Sequence, residues 1–175
     1  MEHKSTSVWK SAITSGVYVG IALILISVIY YVSGNVFSKS AQWVGYLVMT
    51  GGVIFAQLSY RKSLGGFMTY GQALLVGVLA MLFAAVLSGI YTWFLYSVVD
   101  PSLQEQLQLA TEEQLVKQGN IPEDQLEAAV EMTAKFQNPV MLMLIAIFGG
   151  TFIGLIISLI TSIFTQKKPS DVTED

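Results

Sequence analysis

Four long stretches of the chain carry no charged residue, and their lengths predict four membrane-spanning helices. A helix needs about 20 residues to cross a hydrocarbon core about 30 Å thick. The uncharged stretches meet this length and predict spans near residues 11–33, 41–60, 70–98 and 139–165. The third stretch is longer than a helix perpendicular to the bilayer requires, so we expect it to be tilted or to project from one side.

Residues 100–138, between the third and fourth spans, form the only sizeable polar segment. They include eight acidic residues and two lysines, which give the segment a net charge of −6 against −3 for the whole chain. Leu103 and Leu107 are one helical turn apart, and Leu115 follows on nearly the same side. A second apolar stripe has the spacing of one helix face and consists of Leu126, Ala129, Val130, Thr133 and Phe136.

The sequence also marks where these two helices meet. Gly119 and Asn120 are typical of a helix C-terminus, and Pro122, followed by two acidic residues, is typical of a helix start. We therefore predict an acidic amphipathic helical hairpin over residues 100–138, on or just above the outer membrane surface.

Lysine and arginine in the short flanks of the spans predict the orientation, because translocation of positive charge is disfavoured. Six of them lie before the first span, between the second and third, or after the fourth: Lys4, Lys10, Arg61, Lys62, Lys167 and Lys168. The opposite side has only Lys39 and the two lysines of the polar segment. We expect both termini to be cytoplasmic and the segment 100–138 to lie outside.

The composition supports an integral membrane protein, since 53% of the residues are hydrophobic and only 12% are charged. We predict one domain over residues 1–175 with an all-α fold, a four-transmembrane-helix bundle with the hairpin between spans three and four. Cysteine is absent and His3 is the only histidine, which excludes thiolate metal sites, disulfides and histidine-based catalysis. We assign no catalytic, cofactor-binding or metal-binding residue and predict no nucleic-acid partner.

No ionisable residue lies within the core of any predicted span, which disfavours ion-coupled transporters, proton relays and voltage sensors. A membrane enzyme would need paired acids near the interface, such as Asp100 or Glu131, and neither has a histidine or cysteine close by in sequence. We therefore expect no enzymatic activity. The predicted hairpin has six clustered acids: Glu112, Glu113, Glu123, Asp124, Glu127 and Glu131. They are consistent with three alternatives, namely a divalent-cation site without EF-hand spacing, a solvated acidic face, or a surface that docks a partner protein.

Small residues recur every fourth position, or at multiples of four, in three spans. The rows are Ala12, Gly16 and Gly20; Ala73, Gly77, Ala85 and Gly89; and Gly150, Gly154, Ser158 and Ser162. Such rows allow helix backbones to approach closely in lipid. They predict either a homo-oligomer interface or packing within the four-helix bundle.

The most distinctive stretch, YRKSLGGFMTYGQALLVG at residues 60–77, is predicted to be the elbow between spans two and three. Its glycine spacing matches neither phosphate-binding loop pattern. We expect the basic pair to mark the cytoplasmic side, the glycine pair to permit the reversal, the Thr-x-x-Gln pattern to form a capping box and the aromatic residues to lie at the interface. The topology and interface candidates are Arg61, Lys62, Gly65, Gly66, Phe67, Thr69, Tyr70 and Gln72.

The sequence GGFMTYGQAL after the basic pair, with the N-terminal span and the long polar insert, resembles a family of small four-span bacterial membrane proteins of unknown function, of the Bacteroidetes type. The resemblance covers essentially the whole chain. It implies a compact helical bundle in the inner (cytoplasmic) membrane, which makes segment 100–138 periplasmic, and it implies no activity. Members of the family accompany envelope glycosyltransferases, an association that suggests a membrane glycosyltransferase as partner.

Together these observations predict a non-enzymatic structural or accessory subunit of a cell-envelope complex. Its surroundings would be the lipid bilayer, and its partner an envelope protein or a second copy of the chain. The alternative is an oligomeric small channel, or a lipid-handling or transport protein.

Overall fold

The computed structural model describes residues 7–118 and 123–167, and this part of the chain is almost entirely helical. A π-helical turn, Leu95–Val99, extends the third helix. The described residues contain no strand, which confirms the predicted all-α fold. The helices are α1 Val8–Val32, α2 Lys39–Ser63, α3 Tyr70–Phe94, α4 Leu103–Gln118, α5 Glu123–Lys135 and α6 Pro139–Thr165.

Four of these helices are long and apolar enough to cross a membrane, namely α1, α2, α6 and α3 with its π-helical turn. The protein is therefore a multi-pass membrane protein. Helices α1 and α2 begin two or three residues before the predicted spans, and α2 continues to Ser63 rather than residue 60. The extra turns carry Lys10, Lys39 and Arg61, whose long side chains allow the charged group to reach the polar interface while the backbone stays helical.

The described residues fall into two compact units, one within residues 1–88 and 147–175 and the other within residues 89–146. In the first unit two clusters of buried apolar side chains form the core. One cluster is Ala12, Tyr60, Met68, Ala73 and Val76, and the other is Val19, Met49, Val53, Met81 and Ala84. The prediction of a single domain over residues 1–175 stays a prediction.

The rows of small residues pack against other helices of the same chain. A Cβ atom at Gly16 would lie 2.5 Å from the carbonyl oxygen of Ala80, so α1 approaches the backbone of α3 at this point. A Cβ atom at Gly77 of α3 would lie 2.5 Å from Ser158 Oγ, so α3 also approaches α6 closely. These contacts confirm the interpretation that the rows allow close packing within the bundle.

In the second unit, α4 and α5 contact each other, and most positions of the two predicted apolar stripes are at least half-buried. Leu103 is only 2% exposed, and the other apolar positions of the α4 stripe are half-buried. On α5, four members of the predicted stripe are half-buried, whereas Phe136 follows the last helical residue, Lys135, and is 51% exposed. Gln137 Nε2 donates a 2.8 Å hydrogen bond to Thr111 Oγ1, which fastens the end of α5 to the middle of α4.

The predicted helix stop at Gly119 and Asn120 and the predicted start at Pro122 lie outside the described residues. Asp100, one of the acids considered for catalysis, has a local structural role before α4. Its Oδ1 atom accepts hydrogen bonds from the backbone N–H of Ser102 at 3.1 Å and from the Ser102 hydroxyl at 2.6 Å. This arrangement is an Asx turn that leads into α4.

Candidate functional site

The elbow between α2 and α3 reverses the chain through its two glycines. Gly65 and Gly66 have φ angles of +81° and +98°, a region that residues with a side chain rarely adopt. The N–H of Gly66 donates to the Arg61 carbonyl at 3.0 Å, and the N–H of Gly65 to the Lys62 carbonyl at 3.2 Å. These two bonds form a Schellman motif, and the chain turns away from α2 at the glycine pair.

The start of α3 has the capping box that its sequence predicts. The backbone N–H of Thr69 donates to Gln72 Oε1 at 2.9 Å, and the backbone N–H of Gln72 donates to Thr69 Oγ1 at 3.3 Å. Two N–H groups that no helical carbonyl can reach are thereby satisfied. The elbow is therefore held by local hydrogen bonds at both of its ends.

A contact that the sequence does not indicate ties the elbow to the chain that follows α6. Met68 and Lys167 form an isolated antiparallel bridge, in which each backbone N–H donates to the other residue's carbonyl at 2.9 Å. The Met68 side chain is 2% exposed. Arg61 adds a third link, because its Nη1 donates to the Thr165 carbonyl at 3.0 Å. No local sequence signal identifies Lys167 as a partner of the elbow.

The remaining elbow candidates divide into bonded and exposed residues. The Tyr70 hydroxyl donates to the Leu159 carbonyl of α6 at 3.1 Å. Lys62 is exposed, and Phe67 is 38% exposed. Most of the elbow is thus occupied by contacts within the protein, and Lys62 and Phe67 are the two candidates with a sizeable side chain open to the surroundings.

A buried polar cluster lies within the first unit, about one helical turn along α2 from Arg61. Gln57 is completely buried, and its Nε2 donates to Ser162 Oγ at 3.0 Å and to the Ala73 carbonyl at 3.3 Å. Its Oε1 accepts from Thr165 Oγ1 at 3.0 Å. One amide therefore joins α2, α3 and α6. A glutamine in the interior of an apolar span is the sequence signal for this cluster, but it does not show which helices the amide joins.

Beside this cluster, Ser158 is completely buried, and its Oγ has no hydrogen-bond partner among the described residues. The Gln57 amide has no proton that titrates at physiological pH. What the cluster does is align three helices, because a polar group in a low-dielectric interior is stable only where its partners are in place.

A second candidate surface is the groove between α4 and α5. Its volume is about 590 Å³, and its walls combine acidic and apolar side chains: Glu112, Leu126, Glu127, Val130 and Glu131. The described residues have two salt bridges, Lys117–Glu113 at 2.5 Å and Lys135–Glu131 at 3.3 Å, so neither involves Glu112 or Glu127.

Outside the groove lining, the charged pair Lys117 and Glu113 consists of neighbours on one turn of α4. The hydrogen bond from Lys117, together with its positive charge, lowers the pKa of the Glu113 carboxyl. The described residues contain no group of three acidic or histidine side chains close enough to hold a metal ion. The side chains of Glu123 and Asp124, two of the six acids considered for a cation site, lie outside what the structure describes.

Comparison with known proteins finds no match among curated proteins and none among solved structures. A family model described as "Protein of unknown function (DUF4199)" matches residues 14–167. The match covers the elbow, the Gln57 cluster, the hairpin and Lys167. Since it extends over most of the chain, the protein belongs to the DUF4199 family of proteins of unknown function.

Proposed function

We propose that this protein is a non-enzymatic accessory subunit of a cell-envelope complex, and that the groove between α4 and α5 docks a basic amphipathic segment of a partner protein. The observation that carries the proposal is the chemistry of the groove. Leu126 and Val130 supply the apolar part of its lining, while Glu112, Glu127 and Glu131 supply acidic groups. A helix with lysine or arginine on one face and leucine on the other complements both features.

The outer faces of the same two helices also favour a protein partner. Leu109, Val116 and Met132 are 57–65% exposed, in helices that otherwise carry many charges. Exposed apolar side chains rimmed by charge are common at interaction surfaces. A membrane glycosyltransferase is the partner class suggested by the association noted for the family that the sequence resembles.

For the membrane, we propose the inner membrane with both termini in the cytoplasm and α4 and α5 in the periplasm, as the lysine and arginine distribution favours. Reporter fusions test this orientation directly. A reporter after Asp175 should be active only in the cytoplasm, and one inserted near Gly119 only in the periplasm. A periplasmic C-terminus would contradict the proposed orientation.

The docking proposal is tested with groove variants of the full-length protein in native nanodiscs. The test variant is Glu112→Gln/Glu127→Gln, which removes two groove charges without changing side-chain volume. The control is Glu105→Gln/Glu113→Gln, which removes two acidic groups of α4 outside the groove lining, one of them the partner of Lys117. If each lost ion pair costs about 0.7 kcal/mol, the groove variant should bind about tenfold more weakly.

Two measurements read out binding. The first uses a synthetic helical peptide with lysine and leucine at helix spacing, and a control peptide with glutamate in place of lysine. The second compares the proteins that co-purify with wild type and with each variant by mass spectrometry. We expect the groove variant to bind the lysine peptide about tenfold more weakly and to recover less of the co-purifying protein, and the control variant to behave as wild type. Equal losses from the two variants would refute docking in the groove.

A further inference from the structure

The surface between α1 and α2 has a groove of about 240 Å³ whose two ends differ in chemistry. At one end are Lys10, Ser11 and Ser59, which combine a cation with two hydroxyl groups. At the other end are the rings of Tyr18 and Phe55, in edge-to-face contact with centroids 6.5 Å apart. The whole groove lies within the first compact unit.

The polar end of the groove is at the end of a membrane span, and the aromatic end is deeper. Lys10 is two residues from the start of α1 at Val8, whereas Tyr18 is eight residues farther along, which corresponds to about 12 Å of helix. Tyr18 is 60% exposed and Phe55 is 49% exposed, so both rings are open to the surrounding bilayer. The groove therefore extends from headgroup depth to acyl-chain depth.

Between the two ends, Thr14 and Ser15 place further hydroxyl groups along the wall on α1. Ser15 is only 3% exposed, so this part of the wall is a buried polar surface rather than a side chain extended into solvent. Hydroxyl groups donate to phosphate oxygens, and an ammonium group provides the opposite charge. The positive end of the α1 dipole acts in the same direction.

We propose that this groove binds an anionic phospholipid, with the phosphate beside Lys10 and the hydroxyl groups of Ser11 and Ser59, and with an acyl chain against Tyr18 and Phe55. A lipid is the occupant that fits both ends, because it carries a negative phosphate and an apolar chain in the same order as the groove. A soluble anion would use only the polar end. The site is independent of the groove between α4 and α5.

Native mass spectrometry of the full-length protein, released from nanodiscs of defined lipid, tests the proposal. We expect wild type to retain phosphatidylglycerol in preference to phosphatidylcholine. Lys10→Gln should weaken retention of phosphatidylglycerol about fivefold, the effect of one lysine charge at the membrane surface. Lys10→Arg keeps the charge and should retain the lipid. The matched control is Lys39→Gln, which removes a lysine charge at the opposite end of α2.

The same experiment with excess inorganic phosphate distinguishes a lipid site from a general anion site. Phosphate should leave the bound phosphatidylglycerol in place, because it offers no acyl chain to the aromatic end. Displacement of the lipid by phosphate would overturn the proposal. So would equal losses from Lys10→Gln and Lys39→Gln, or equal retention of phosphatidylcholine and phosphatidylglycerol by wild type.

Discussion

Substitution of Gly16 by alanine tests whether close contact between α1 and α3 holds the first unit together. The added Cβ atom would lie 2.5 Å from the carbonyl oxygen of Ala80 and 2.7 Å from Phe83 Cβ. Favourable carbon contacts occur at about 3.5–4.0 Å, so the two helices must separate by roughly 1 Å. The carbonyl oxygen belongs to the helix backbone and has no rotamer by which to move aside.

The cost of this separation follows from the packing of the interface. A gap of about 0.5–1 Å removes about a quarter to a half of the dispersion energy of each contact. In lipid this loss is not offset by an apolar driving force, because packing itself is a main source of helix association. Overpacking in well-packed cores costs about 1–3 kcal/mol, and we expect Gly16→Ala to lower the free energy of unfolding by an amount near the top of that range.

Gly51→Ala is the matched control, because Gly51 also lies within a membrane helix but a Cβ atom there would meet nothing within 4 Å. Alanine favours a helix interior by about 1 kcal/mol over glycine, so this variant should be neutral or slightly more stable. Denaturant unfolding in mixed micelles, followed by circular dichroism, measures both variants. Tryptophan fluorescence is a second measurement, to which the interface contributes through Trp9, whose ring lies 6.5 Å from that of Phe83. Equal stability of the two variants would refute the reasoning.

Two further predictions concern the polar cluster and the elbow. Gln57→Leu should lower the free energy of unfolding by about 1–2 kcal/mol. A double-mutant cycle with Thr165→Val should give a coupling energy of about 0.6 kcal/mol between the two side chains. Additive effects of the two substitutions would contradict a direct hydrogen bond. The backbone N–H of Met68 should exchange slowly with deuterium in the full chain and rapidly in a chain that ends at Gln166, because that chain lacks the Lys167 carbonyl that accepts its hydrogen bond. Unchanged protection of Met68 would contradict the bridge.

The features of the fold that could be predicted from sequence are those encoded within a few residues. The capping box needs only Thr69 and Gln72 at a spacing of three, and the end of α2 needs only a glycine pair after the last turn. The four membrane helices follow from the lengths of the uncharged stretches. Each of these features depends on the backbone geometry of a few adjacent residues or on the free energy of transferring apolar side chains from water to lipid. Neither requires knowledge of distant residues.

The features that could not be predicted depend on which distant residues meet. Met68 and Lys167 are 99 positions apart, and nothing in either neighbourhood specifies the other. The rows of small residues are a similar case, because the spacing of Gly16 and Gly20 shows that a flat helix face exists but does not show which helix packs there. A homo-oligomer and a bundle require the same spacing. The contact of Gly16 with Ala80 decides between them for this row.

The elbow contacts change where a binding surface should be sought. A partner that bound the elbow through Met68 would have to break two backbone hydrogen bonds and expose a side chain that is now 2% exposed. Using Tyr70 or Arg61 would cost their bonds to the carbonyls of α6. Each of these costs about 1 kcal/mol or more before any new contact forms. In the two grooves, Glu112, Glu127 and Lys10 are exposed and belong to neither salt bridge of the described residues, so a ligand can reach these charges without such a cost. For this reason we expect variants in the two grooves to alter binding, and elbow variants other than Phe67 and Lys62 to alter stability first.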